Sequence, residues 1–372
     1  MKVYKTIILL PYLPLNGMVQ FNGLKLWPYN KFKIKLIKDT ALRTHIDKLI
    51  GCYQLYKGNP VPNPAIITGD KINFSNPTQL TISKIESLKN ILLLLGILEN
   101  NQWSFITSDN FEVFYQRFIV GETGISTQAG AIHRITTGGY QIGQVAFQKP
   151  EHVNLPISFN PDLKILNALE DCLTNSSTNK GKSQIIQSLN PLFNAYRNSH
   201  EQSWHSRILL MVMAFELLFG ETGRPQLRNN ILKYSTIGYS KKFTQYKYPI
   251  VNYGKVTGYE QLTLHQIWAE EFYKLRNKII HGDTVYSDDF IFKDLINIIK
   301  PREPYFYISI NFFVVCLLNK LRELGFSNVE HYIINPDAPE IFIGKNISGI
   351  KNELFKIEDR TLHNLLASRI PN

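Results

Sequence analysis

The 372-residue chain has few cysteines and no long apolar segment. These two absences argue against a disulfide-rich protein and against a membrane-spanning one. Its three cysteines, Cys52, Cys172 and Cys316, are far apart and odd in number, so they predict neither a disulfide framework nor a pair of metal ligands. This usage is typical of the reducing cytoplasm, which is the expected location. Apolar runs such as 308–318 are shorter than the roughly 18 residues that a membrane span requires, so we expect no membrane partner.

Several signatures of catalysis are also missing. The sequence contains no G-x-x-x-x-G-K-[ST] phosphate loop, no H-E-x-x-H zinc motif and no C-x-x-C pair, and we expect neither a metal nor a cofactor. Acidic residues are scarcer than basic ones, since 30 Asp and Glu stand against 41 Lys and Arg, for a net charge of +11. This excess favours an anionic partner, with nucleic acid ahead of an acidic membrane surface.

The pattern of apolar residues changes near residue 155, where prolines accumulate. Before that point, apolar residues alternate with lysines at 31–36, Asn-Gly pairs at 16–17 and 22–23 mark turns, and 81–100 fits a helix. We therefore expect residues 1–155 to form a mixed α/β domain that is rich in strands. Its expected role is to sense a trigger or to regulate the rest of the protein.

The rest of the chain has the period of helices. The expected helices are 162–173, 183–199, 203–219, 225–238, 263–281, 288–300 and 304–324. The fold class is therefore α+β, with an all-α helical bundle at 156–325 after the mixed domain and a C-terminal extension at 326–372.

One short segment carries groups suited to chemistry. On a helix, Asn277 and His281 share a face, and the long side chain of Arg276 can reach round towards them. Gly282 is placed to end that helix. Arginine binds phosphate oxygens with a planar fork, and histidine can take the proton of a ribose 2′-hydroxyl. The alternative is a capping and salt-bridge cluster without chemistry.

The segment Arg-Asn-x-x-x-His-Gly resembles the R-x4–6-H motif of HEPN domains, in particular the Apea-like subgroup. Upstream, Ala-Phe-Glu-Leu-Leu at 214–218 resembles that subgroup's glutamate-bearing segment, and the resemblance covers roughly 160–325. It implies a helical bundle that acts as a metal-independent endoribonuclease, in prokaryotic antiviral defence or in toxin–antitoxin systems. It also implies that Arg276 and His281 are catalytic, with Asn277 as the polar residue after the arginine and Glu216 in a supporting role.

Partners follow from the same resemblance. HEPN proteins usually place the motifs of two protomers around one cleft, so a homodimer is expected, with RNA as substrate and an antitoxin or trigger protein as a further partner.

A basic, tyrosine-rich interval adds a second signal. No acidic residue occurs between Glu221 and Glu260, and cations with aromatic rings are what single-stranded RNA binding uses. The expected RNA contacts are Arg224, Arg228, Lys241, Lys242, Tyr246, Lys247 and Tyr248, with Lys278 from the motif helix. The alternative is a solvated loop whose tyrosines pack on the bundle.

The leading interpretation is thus a HEPN-type ribonuclease with a regulatory N-terminal domain. Two rivals remain: a non-catalytic HEPN module that binds RNA, a nucleotide or a protein, and an N-terminal ligand sensor with a helical dimerisation domain. Glu270 and Glu271, just before the motif, are expected to form a solvated helix edge.

Overall fold

The structure, a computed structural model, describes a large part of the chain. The described residues are 3–31, 40–51, 53, 60–61, 63–69, 78–99, 107–121, 124–127, 159–197, 202–237, 243–252, 255–291 and 304–329. They belong to two compact units, the first comprising Met1–Thr174 with Tyr196–Asn198 and the second Asn175–Ala195 with Ser199–Asn372. The boundary expected at residue 155 and most of the extension expected at 326–372 lie outside the described residues.

A six-stranded antiparallel sheet forms the first unit. Its strands are β1 (Val3–Pro14), β2 (Val19–Phe21), β3 (Leu24–Pro28), β4 (Pro64–Gly69), β5 (Phe114–Gly121) and β6 (Gly124–Thr127), in the order β2-β3-β4-β1-β5-β6. The turn between β2 and β3 is the expected Asn-Gly pair, with φ of 45° at Asn22 and 76° at Gly23. Both φ angles are positive, as a two-residue hairpin turn requires.

Helices α1 (Thr40–Gly51), α2 (Gln79–Glu99) and α3 (Leu163–Thr174) accompany the sheet. Helix α1, which the sequence did not predict, packs Ile46 and Leu49 into one cluster with Leu9 and Ile66 of the sheet. Helix α2 is buried at every position from 91 to 97. Gly96 belongs to that run because a Cβ there would lie 2.5 Å from the ring of Phe111.

The second unit contains five helices among its described residues: α4 (Lys180–Ala195), α5 (Trp204–Phe219), α6 (Arg224–Ser235), α7 (Leu264–His281) and α8 (Tyr305–Glu323). Local sequence explains their ends. Ser203 caps α5 by accepting the N–H of Ser206, and Thr263 forms a capping box with Gln266 at the start of α7. Their core is aromatic, with Trp268 of α7 stacked 4.6 Å from Phe312 of α8.

The second unit is not all-α, which corrects the sequence prediction. Strands β7 (Tyr246–Asn252) and β8 (Lys255–Leu262) form an antiparallel two-stranded sheet within the basic, tyrosine-rich interval, where no strand was expected. Alternating Tyr-Lys-Tyr and the β-branched Ile250 and Val251 suit a strand, but the prolines and charges of this interval hid that pattern. Helices and antiparallel strands together confirm the α+β class. Most of the helix expected at 288–300 lies outside the described residues.

Across the described part of the chain, no helix combines the length and the apolar composition that crossing a membrane would take.

Candidate functional site

Helix α7 changes character along its length. Its first twelve residues include the fully buried Trp268 and Phe272, whose rings stack 4.9 Å apart in the core. From Arg276 to His281, no residue is buried. The C-terminal end of α7 therefore leaves the core and presents its side chains to solvent.

The end of α7 is defined by Gly282, as the sequence predicted. Gly282 adopts the left-handed conformation with φ of 74°, and the N–H of Asp283 donates to the carbonyl of Lys278 at 3.0 Å. This geometry is favoured by glycine because a Cβ would strain it. His281 is the last residue of the helix, and its side chain is exposed.

Arg276 is held by its neighbours but keeps donors for a ligand. One guanidinium nitrogen donates to Asn277 Oδ1 at 3.0 Å, and the guanidinium carbon lies 5.2 Å from the ring centroid of Tyr273. Among the described residues, no carboxylate forms an ion pair with Arg276. The remaining N–H groups of its fork can thus bind an anion such as phosphate.

Tyr273 joins Arg276 to Glu216. The tyrosine hydroxyl donates to Glu216 Oε1 at 3.4 Å, and the same oxygen accepts the N–H of Gly223 at 3.5 Å. Burial raises the pKa of Tyr273, and the nearby charge of Arg276 opposes that rise. Glu216, which was expected to have a supporting role, is therefore linked to Arg276 through Tyr273. The sequence analysis had not singled out this tyrosine.

Glu270 is the centre of a buried ion cluster, not part of a solvated edge as expected. Its carboxylate lies 3.1 Å from Arg224, 3.9 Å from Arg228 and 4.0 Å from Lys274. Its side chain is only 8% exposed, so these cations compensate a charge that water barely reaches. In the sequence, the only signal for this role is that Glu270 lies three residues before Tyr273. That its side of the helix faces α6 is known only from the structure.

Two of the expected RNA contacts are engaged in this cluster. Arg228 forms a two-pronged pair with Glu260, with both N–O distances at 2.8 Å, and its side chain is 16% exposed. Arg224 keeps 47% of its side chain exposed while it pairs with Glu270. Arg228 is consequently a structural cation, whereas Arg224 can still reach a ligand.

The other expected RNA contacts divide by exposure. Tyr246 and Tyr248 are buried, so neither ring can stack on a base in this conformation. Lys247 between them is exposed, and Lys278 pairs with Asp289 at 3.5 Å while half of its side chain stays exposed. Lys241 and Lys242 lie outside the described residues.

Potential metal ligands do not gather around this site. No group of three His, Cys, Asp or Glu side chains in the described residues has the arrangement to hold a metal ion. Cys172 and Cys316 are both buried, and burial raises the pKa of the Cys316 thiol.

Comparisons of the chain with protein-family models, with curated proteins and with solved structures found no match. The functional argument therefore rests on the geometry of α7 and its neighbours. That geometry brings Glu216, Tyr273, Arg276 and Asn277 into one contact chain, and it leaves His281 at the exposed end of the same helix.

Proposed function

We propose that the chain is a metal-independent endoribonuclease of HEPN type, which acts in the cytoplasm in prokaryotic antiviral defence or toxin–antitoxin biology. The observation that carries this proposal is the exposed end of α7. An arginine with unused donors and a histidine leave the core together, and a glycine cap defines the end of their helix.

The chemistry follows from the two side chains. His281 accepts the proton of a ribose 2′-hydroxyl, because histidine is the side chain that titrates nearest neutrality. The 2′-oxygen attacks the adjacent phosphorus, the bond from phosphorus to the 5′-oxygen breaks, and that oxygen takes a proton from an acid. Arg276 binds the non-bridging oxygens, where negative charge increases. The products are a 2′,3′-cyclic phosphate and a 5′-hydroxyl.

One copy of α7 supplies only part of this machinery. Arg276 and His281 are five positions apart, which corresponds to about 7.5 Å along the helix and about 140° around it. The second proton transfer also needs an acid, which His281 of a second copy can supply. We therefore include a homodimer with an isologous interface in the proposal.

Exposed apolar side chains support such an interface. Met213 of α5 and Ile280 of α7 are each 50% exposed, and α5 and α7 pack together through the contact between Glu216 and Tyr273. Covering such side chains in a dimer would remove apolar surface from water, in the case of Ile280 within the motif segment itself.

The decisive experiment incubates the full-length chain with a labelled transcript, with and without EDTA. We expect cleavage that EDTA leaves unchanged, products with cyclic phosphate ends, and no cleavage of DNA of the same sequence. Cleavage that requires Mg²⁺ would overturn the mechanism. His205→Ala serves as the matched control for His281→Ala, because His205 is an exposed histidine at the other end of the neighbouring α5.

A non-catalytic module is the second candidate, and one observation favours it. The cations nearest the motif already have protein partners: Arg276 donates to Asn277, and Arg224 pairs with Glu270. In this reading, the second unit binds RNA, a nucleotide or a partner protein, and the first unit is a ligand sensor. RNA binding without cleavage, unchanged by Arg276→Ala, is the result that would select it.

A further inference from the structure

The strand register of the β7–β8 hairpin sorts its side chains onto two faces. Tyr248 lies opposite Glu260, and Pro249 lies opposite Tyr259. Because side chains alternate along a strand, Tyr248 and Glu260 share one face and Pro249 and Tyr259 share the other. We call these the inner and the outer face of the hairpin.

The inner face fixes the hairpin to the helices. The Tyr248 hydroxyl donates to Glu271 of α7, and the ammonium of Lys274 lies 4.7 Å from the centroid of the Tyr248 ring. Glu260 forms the two-pronged pair with Arg228 of α6. These contacts hold the base of the hairpin against two helices, so its outer face has a defined position.

The outer face is exposed and combines a ring with cations. Tyr259 is 51% exposed, and Val251 and Val256, which pair with each other beyond the register shift that follows Ile250, are about equally exposed. Lys247 lies on this face, and Lys255 lies at the turn end of the hairpin, next to Val256 and opposite Asn252; both lysines are exposed. No acidic side chain lies on this face among the described residues, since Glu260 points to the other side.

This arrangement differs from that of an ordinary protein-binding strand. A wholly apolar face would suit a second protein, but here Lys247 shares the face with the aromatic ring, and the long side chain of Lys255 adds a positive charge at the turn end of the hairpin. Lys247 and Asn252, the strand partner of Lys255, are five positions apart, which is about 17 Å along the strand. A nucleic acid strand can place phosphates at both ends and a base on the ring between them.

We propose that the outer face of the hairpin binds single-stranded RNA, with one base stacked on Tyr259 and phosphates held by Lys247 and Lys255. Only an unpaired base exposes the ring face that Tyr259 requires, so duplex RNA does not fit. The hairpin meets α7 at Lys274, about 10 Å along the helix from His281 and on the same face. This inference rests on the proposed ribonuclease function and names how its substrate is captured.

The test measures binding separately from cleavage. A fluorescein-labelled oligouridine with 2′-O-methyl groups cannot be cleaved through the 2′-hydroxyl, and its binding to the full chain is followed by fluorescence anisotropy. Tyr259→Ala should weaken binding roughly 5- to 150-fold, the range of one lost base stack, while Tyr259→Phe should bind like the wild type. Tyr286→Ala is the matched control, because Tyr286 is an exposed tyrosine of the same unit that lies outside the hairpin.

The lysines should act differently from the ring. Each of Lys247→Gln and Lys255→Gln should reduce the salt slope of binding by about 0.7, and Tyr259→Ala should leave that slope unchanged. Both lysines are exposed and have no acidic partner in the described part of the chain, so these variants keep the fold even if a change at Tyr259 does not.

The outcomes separate this inference from the proposed function. If the wild type binds the oligomer through Tyr259 but cleaves no RNA, the capture site stands and the ribonuclease proposal fails. If the chain cleaves RNA while Tyr259→Ala and both lysine variants bind normally, the capture site is refuted. Absence of any binding by the wild type also refutes it. Loss of a dimer in Tyr259→Ala, measured by light scattering, would assign the face to a second copy and overturn the inference.

Discussion

Helices α2 and α7 are of similar length but use their surfaces in different ways. Helix α2 is buried at every position from 91 to 97, so it contributes packing to the first unit. Helix α7 is buried only up to Leu275, and its remaining residues reach solvent. A helix enclosed on all sides cannot meet a substrate, whereas one that leaves the core can be held rigidly at one end and react at the other.

The two helices also bury charge differently. In α2, the buried Lys89 lies 2.5 Å from Glu86 and 3.9 Å from Glu112. In α7, the buried Glu270 is surrounded by cations from α6 and from its own helix. The buried charge of α7 therefore ties the motif helix to the neighbour that carries the other basic residues.

The largest expected effect would test whether the end of α7 is catalytic. We expect His281→Ala or Arg276→Ala to reduce RNA cleavage by about 10²- to 10⁴-fold, the usual contribution of acid–base catalysis. The melting temperature should stay within the error of the wild type, because neither side chain is buried. Gel assays measure the cleavage of RNA, and circular dichroism measures the melting temperature. A variant that cleaves normally, or that unfolds, would remove the distinction between α7 and α2.

The opposite result is expected in α2. Leu93→Ala should lower the free energy of unfolding by about 2–5 kcal/mol, because Leu93 is fully buried and its loss leaves a cavity. Leu80→Ala in the same helix should change it by less than about 0.5 kcal/mol, since Leu80 is 68% exposed. Urea titrations of both variants measure the difference. Equal effects would show that α2 is not enclosed as described.

A matched pair of glutamates sharpens the comparison of buried charge. Glu270→Gln should destabilise the second unit by about 2 kcal/mol, because it removes a carboxylate that is only 8% exposed and pairs with Arg224, whereas Arg228 keeps Glu260 as its partner. Glu271→Gln should cost less than about 1 kcal/mol, because the ion pair of the 27% exposed Glu271 with Lys274 is screened by water and the glutamine oxygen can still accept the Tyr248 hydroxyl. Chemical unfolding of each variant provides the measurement, and a larger loss for Glu271 would contradict the cluster.

The smallest effect concerns Lys320 of α8, whose ammonium donates to Gln184 at 2.9 Å and to the carbonyl of Leu218. Burial lowers the pKa of Lys320 to about 8, from an ordinary value of 10.5 that holds in the unfolded chain. Between these values the unfolded chain keeps the proton that the folded chain releases, so stability rises with pH. We expect a gain of about 1 kcal/mol from pH 8 to pH 9, relative to Lys320→Met.

Denaturant titrations at the two pH values test this prediction. Lys320→Met removes the titrating group but keeps an unbranched side chain of similar length, so it isolates the contribution of Lys320 from other pH effects. A gain of the same size in both proteins would assign the pH dependence to a different group.

Much of the architecture could be predicted from local patterns. Apolar periodicity predicted α2, α5 and α7, the Asn22–Gly23 pair predicted the first hairpin turn, and Gly282 predicted the end of the motif helix. These features depend on residues within one or two turns of each other, so the sequence contains their cause. Helix α1 was missed although Ile46 and Leu49 give it an apolar face, because its 12 residues lie within a region whose other segments have the patterns of strands and turns.

The candidate site could be predicted only in part, for a physical reason that Tyr248 and Tyr259 illustrate. Both are tyrosines in a basic interval, and composition treats them alike. One is buried against α7 and the other is exposed, because the strand register assigns them to opposite faces. A shift of one residue would exchange these faces, and only the packed helices select the register.

The amino-acid sequence alone specified the α+β class, the helix that carries Arg276 and His281, and the glycine at which that helix ends, because short-range sterics and periodicity control these features. Only the tertiary structure decided which charged side chains form ion pairs within the protein. Arg228 and Glu270 look like surface residues in the sequence, yet they lie 3.9 Å apart between α6 and α7, with 16% and 8% of their side chains exposed. A buried charge requires a partner from another element, and pairing across more than forty residues is a property of the folded chain.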